Sequence, residues 1–160
     1  MNRVVVTGLG VVSPIGITAT ENWKSITGSR SGIGPITQFD ASQFTSRIAG
    51  EVKGFKPEEF IPSKEIKKMD RFIHFTMGAG HEALVQSGLD LGKEDLERVG
   101  SCVGVGIGGM PIILSEHKEL LDRGPRRVSP FFIPAVIGNL AAGQLSLKYG
   151  LKGPNTCITT

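Results

Sequence analysis

Four sets of residues in this 160-residue chain are of types that could do chemistry. Gly104-Val105-Gly106-Ile107-Gly108-Gly109 removes most side chains from one short stretch, so its backbone can approach a ligand, a helix or another subunit. Two readings stay open here: close packing, or a ligand pocket for which Ile107 is the bulky lining side chain. Lys64, Lys67 and Lys68 recur at i, i+3 and i+4, the spacing of one helical face, and Arg126-Arg127 follow Gly124-Pro125 in a loop. Such clusters are either solvated surface or the docking site of an acidic partner. The cysteines, Cys102 and Cys157, lie in β-rich apolar contexts without C-x-x-C or Cys/His spacing, and are expected to be buried structural thiols. His74, His81 and His117 show no metal-ligand spacing and are expected on the surface or within helices, with no metal site and no nucleophile-base pair.

The elements that must position these residues follow from periodicity and punctuation. Val4 to Thr7 is a β-branched run closed by Gly8-Leu9-Gly10, which reads as a fully buried strand. Thr20 to Thr27, with Trp23 and Ile26 at helical spacing and Gly28 behind, reads as a short helix. Residues 29–62 are rich in Gly, Ser, Pro and Phe and form a long, partly irregular insertion with a short strand within Arg47 to Val52. Ser63 is placed to cap a long central helix from Lys64 to Ser87, stopped by Gly88. A short helix is expected over Asp90 to Glu97, a buried strand over Val99 to Ile107, a helix over Pro134 to Tyr149, and a third strand from Thr156 to Thr160. Strands spaced by helices predict an α/β fold with a mixed sheet covered by helices. A β-branched strand without a successor reads as a chain that stops short of its natural end.

Composition excludes several function classes. Hydrophobic residues are 39% and charged residues 21%, ordinary for a globular protein and too polar for membrane spans, which need about 18 consecutive apolar residues. Net charge is +3, far from the dense basic stripes of nucleic-acid binders. No nucleic-acid or membrane partner is expected, and the expected compartment is the cytosol. Gly8-Leu9-Gly10-Val11-Val12-Ser13 fails as a dinucleotide fingerprint, because Ser13 replaces the third glycine and Pro14 stands where the helix should begin.

Longer phrases carry a resemblance. VVVTGLG at Val4 to Gly10, SP-x-G at Ser13 to Gly16, SGI at Ser31 to Ile33 and FD at Phe39-Asp40 open the chain. KKMDRF at Lys67 to Phe72, GVGIGG at Gly104 to Gly109, GPRRVSPFFIP at Gly124 to Pro134 and YGLKGPN at Tyr149 to Asn155 follow. In this order they resemble the β-ketoacyl-acyl-carrier-protein synthases over the whole chain, and KKMD together with SPFFIP looks like the synthase II branch. The resemblance implies a thiolase-like layered fold, of which residues 1–160 are the amino-terminal half.

It also implies fatty-acid chain elongation by decarboxylative Claisen condensation, with acyl and malonyl thioesters, acyl carrier protein and a homodimeric partner, and no cofactor. The nucleophile of such enzymes is the Cys of a T-A-C phrase after GPN; here GPNTCITT ends first, so the resemblance places that Cys two residues beyond Thr160. Cys157 matches no catalytic position, the remaining catalytic groups belong to the second half, and the chain alone is expected to be inactive. Ile107 would gate the acyl tunnel and Phe132 would line it across a dimer interface, while Lys64, Lys67, Lys68, Arg126 and Arg127 would form the carrier-protein surface. The rivals are a chain-length-factor-like subunit without the nucleophile and a polyketide ketosynthase.

Overall fold

The computed structural model describes residues 3–159. In chain order its elements are α1 (Ala19–Thr27), β1 (Ile33–Pro35), β2 (Ile48–Gly50), α2 (Ser63–Ile66), α3 (Arg71–Ser87), β3 (Ser101–Gly104), α4 (Met110–Arg123), α5 (Phe132–Val136), α6 (Leu140–Tyr149) and β4 (Asn155–Ile158). The strands form two pairs, β1 with β2 antiparallel and β3 with β4 parallel, and α3 and α6 pack together beside the parallel pair. The α/β architecture expected from alternating strands and helices is present. Its apolar centre is Ile61, Met69, Ile73 and Met77, with Phe60, Phe72, Leu140 and Leu145 packed around them.

Several boundaries differ from the sequence reading, each for a local reason. The long helix expected from Lys64 to Ser87 is two helices. Asp70 takes an extended conformation and its carboxylate accepts the Arg71 amide at 2.5 Å, starting α3 afresh. Ser63 is not a cap but the first residue of α2, behind Pro62. Gly88 does stop α3, at φ 67°.

The expected buried strand Val4–Thr7 is absent, and Val4 and Val6 are 96% and 80% exposed. A β-branched run becomes a strand only where another strand completes its ladder, and no described residue pairs with it. Just beyond it the backbone crosses α3 instead: Val11 N–H donates to Glu82 Oε2 at 2.9 Å, and Leu9 N–H donates to the Gln86 side chain. Glu82 Oε1 also accepts from Ala19 N–H at 2.8 Å, so one carboxylate joins this run, α1 and α3.

Helix α1 forms where expected, with its polar face inward. Asn22 and Ser25 are buried while Trp23 and Ile26 are exposed. Asn22 Nδ2 donates to the Gly16 carbonyl at 2.8 Å and Ser25 Oγ to the Ile15 carbonyl at 2.7 Å, which ties the SP-x-G turn to the helix. The span 29–62 carries the β1–β2 pair and a 3-10 turn at Pro57–Glu59.

Asp90 to Glu97 is not a helix. Asp90 and Asp95 turn their carboxylates onto the Gly92 and Glu97 amides at 3.1 Å each, leaving a 3-10 turn at Leu96–Arg98. The strand expected over Val99 to Ile107 is β3 alone and only half-buried, because β4 offers it four partners, Asn155 to Ile158. Of the last expected strand, Thr156 to Ile158 lie in β4 and Thr160 falls outside the described residues. The helix expected over Pro134 to Tyr149 breaks between α5 and α6, where Gly109 N–H takes the Val136 carbonyl at 3.1 Å. Helix α4 was not foreseen, although Pro111 in its first turn and Gly124 at its end are ordinary boundary signals.

Candidate functional site

Asp70 is where the motifs meet. It is 4% exposed, and its backbone N–H donates to the Ala135 carbonyl at 3.2 Å while its Oδ2 accepts from Ile112 N–H at 3.0 Å. KKMD therefore touches SPFFIP through α5 and GVGIGG through the first turn of α4. Gly109 lies between them so closely that a Cβ there would stand 2.8 Å from Val136 Cα and 2.9 Å from Asp70 Oδ2. The packing reading of this glycine run thus holds at Gly109.

At Ile107 the same run behaves differently. The side chain is 76% exposed between Gly106, which faces open space, and Gly108, whose φ of 91° suits glycine. Phe132 is half-buried and lines a cleft of about 200 Å³ with Lys67, Ile112, Glu116, Ser129 and Phe131. The structure brings the elements of Ile107 and Phe132 together through Gly109 and Val136, without placing Ile107 in that cleft.

Lys64 and Lys67 are exposed, and Lys68 is half-buried, paired with Glu65 at 3.0 Å and 4.8 Å from the centroid of the Phe131 ring. Arg126 and Arg127 are exposed in a 3-10 turn behind Gly124, whose φ is 82°. Lys68 thus contacts the segment that begins just after the two arginines, Lys67 lines a cleft with it, and Ser129 N–H is held there by Glu116 Oε2 at 2.7 Å.

Residues 1–160 match the family described as "Beta-ketoacyl synthase, N-terminal domain". The chain belongs to the β-ketoacyl synthase family. Among curated relatives, it is 47% identical to the 3-oxoacyl-[acyl-carrier-protein] synthase 2 of Vibrio cholerae over 158 residues, 99% of this chain. It is 48% identical to the protein of that name from Coxiella burnetii, again over 99% of this chain. The chain spans 38% of the length of each. Of solved structures, the ishigamide ketosynthase/chain length factor superposes with TM-score 0.79 at 27% identity, over 98% of this chain and 39% of that one. A β-ketoacyl synthase from Burkholderia phymatum gives TM-score 0.78 at 26% identity, over 98% and 39%. The fold is thus that of the thiolase-like ketosynthases.

Other candidate groups in this synthase domain are placed differently from expectation. Cys102 is exposed and Cys157 half-buried, so neither is a buried thiol; Cys102 lies on the face of β3 opposite Ser101, which contacts α6, while Cys157 pairs with Val103 on the covered face. His74 is buried, with Nε2 3.1 Å from the Ile66 carbonyl, and burial holds its pKa below the usual histidine value. His81 Nδ1 lies 2.9 Å from the Tyr149 hydroxyl, and burial pushes the Tyr149 phenol up. Among the described residues no three His, Cys, Asp or Glu are grouped to hold a metal. Among the described residues no helix is long and apolar enough to cross a membrane.

Asp70 is the residue that sequence reasoning passed over. An Asp just before an apolar helical run is a capping signal. It was masked by the earlier Ser63, which drew the helix start seven residues forward.

Proposed function

We propose that this domain is the amino-terminal part of a β-ketoacyl-acyl-carrier-protein synthase II, with residues 29–62 an insertion within it. The observation that carries the reading is the identity of 47–48% to curated synthase 2 proteins over 99% of the chain. In the complete protein a cysteine two residues beyond Thr160 takes the acyl group from carrier protein as a thioester. Malonyl-carrier protein then loses CO₂, and the resulting carbanion attacks that thioester and expels the cysteine thiolate. The thiolate needs a stabilising field such as a helix N-terminus, and the oxyanions need fixed donors, all supplied by the remainder of the protein. Loss of CO₂ drives the condensation without a cofactor.

Within this reading Lys64, Lys67, Lys68, Arg126 and Arg127 receive the acidic carrier protein. Ile107 gates the acyl tunnel, and Phe132 lines it across a homodimer interface, in a cytosolic enzyme. The support here is the Lys68–Phe131 contact, which sets the docking lysines beside the segment bearing Phe132.

The test uses the full-length protein with acyl- and malonyl-carrier proteins, scoring 3-oxoacyl product and released CO₂. Product that vanishes when the proposed nucleophile becomes Ala supports the reading; no product from the unaltered protein overturns it. A second reading, a non-catalytic chain-length-factor subunit, is favoured by the superposition on a ketosynthase/chain length factor. Gln in place of Cys two residues beyond Thr160 decides for that subunit.

A further inference from the structure

We infer that Asp70 is a positioning residue for acyl-chain selection, holding the loop that bears Ile107 at a fixed place against α5. This rests on the reading of Ile107 as a gate. A gate that discriminates by size needs a mobile side chain on an immobile frame, because a loop that yields with the side chain admits every chain length alike. The structure has both parts. Ile107 is 76% exposed between two glycines, free to change rotamer.

Two residues further on, the backbone is pinned. Gly109 N–H donates to the Val136 carbonyl at 3.1 Å, Ile112 N–H donates to Asp70 Oδ2 at 3.0 Å, and Asp70 N–H donates to the Ala135 carbonyl at 3.2 Å. Gly109 has no room for a Cβ between Val136 and the Asp70 carboxylate, so the three segments fit at one spacing. A carboxyl oxygen that accepts a backbone N–H out of reach of water satisfies a group that would otherwise be buried unpaired, and Ile112 N–H is a first-turn donor that the helix itself leaves without a partner. Asp70 follows directly on Lys67-Lys68-Met69, so it also sets the lysine-bearing turn relative to the loop.

Two variants separate this role from helix capping in the full-length protein. Asp70→Ser keeps an oxygen for the Arg71 amide but is too short for Ile112. Asp70→Asn keeps the shape while one of its two acceptors becomes a donor. Hydrogen exchange of amides 105–113, followed by mass spectrometry, reads the frame. Acylation rates with short and long acyl-carrier proteins, in wild-type and Ile107→Ala backgrounds, read selection. Faster exchange in both variants is expected, with the long-to-short rate ratio moved at least about fivefold and that movement absent with Ala at 107. Unchanged exchange overturns the positioning role. Faster exchange with an unmoved ratio, while Ile107→Ala alone moves it, overturns the link to selection and leaves the gate standing. An Ile107→Ala protein with the wild-type ratio removes the gate itself and the inference with it.

Discussion

His74 and Ile66 are joined across the break between α2 and α3, with His74 Nε2 and the Ile66 carbonyl 3.1 Å apart. The carbonyl can only accept, so the ring donates from Nε2. Burial is the main cause that lowers the His74 pKa; the Ile66 bond and the nearby Asp70 oppose it, and Arg71 adds to it.

The sign of the pH effect follows. Because the folded pKa is depressed, the unfolded chain binds the proton first, and stability falls as pH drops below the ordinary histidine value of about 6.5. The fall levels off once pH passes the folded value. Denaturant midpoints of the full-length protein between about pH 8 and pH 5 should show a shallower slope for His74→Gln than for wild type. Identical slopes would mean that His74 titrates alike in both states.

The crossing of the amino-terminal run over α3 rests on glycine. A Cβ at Gly10 would overlap the Ala79 carbonyl oxygen, a backbone atom, whereas one at Gly34 meets open space. Gly10→Ala should therefore destabilise by about 3 kcal/mol or more, and Gly34→Ala by no more than about 0.5 kcal/mol. Thermal unfolding compares them, and equal losses would show that the crossing yields without strain.

Reversing Lys64 and Lys68 to Glu in the full-length protein should raise KM for acyl-carrier protein about tenfold. It should leave kcat for a short acyl-thioester analogue nearly unchanged, because surface charge acts on encounter. The rise should shrink at high salt. A proportional loss with both substrates refutes docking at these lysines.

Ile107→Phe fills the volume into which the aliphatic chain would swing. Acylation by short groups should persist, while groups longer than about six carbons should react at least about tenfold more slowly. The measurement is acylation rate against chain length, and a flat penalty at every length would reduce Ile107 to a packing residue.

Local signals were legible wherever their cause was local. Gly28, Gly88 and Gly150 end α1, α3 and α6 as read, because a helix end needs only the last turn and the residue beyond it. The four residues of β3 and most of β4 fall within short apolar or β-branched stretches read as strands. Helix α4 was missed because none of its residues is buried and the glycine run before it drew the reading toward a loop. Trp23 and Ile26 marked the helix but not its inward face, because apolar spacing does not say which face a helix turns inward; the carbonyls of Ile15 and Gly16 drew in Ser25 and Asn22.

By itself the sequence determined the family, through phrases long enough to be improbable by chance, and the places where glycine, proline and capping residues punctuate the chain. Only the tertiary structure decided that KKMD, GVGIGG and SPFFIP are neighbours. Residues 70, 109, 112 and 135 are scattered along the chain, and their approach depends on the Asp70 carboxylate and the bare Cα of Gly109 fitting the same gap. It also showed that, among the described residues, nothing pairs with Val4 to Val6, and a β-branched run becomes a buried strand only when a partner strand and a covering face reach it.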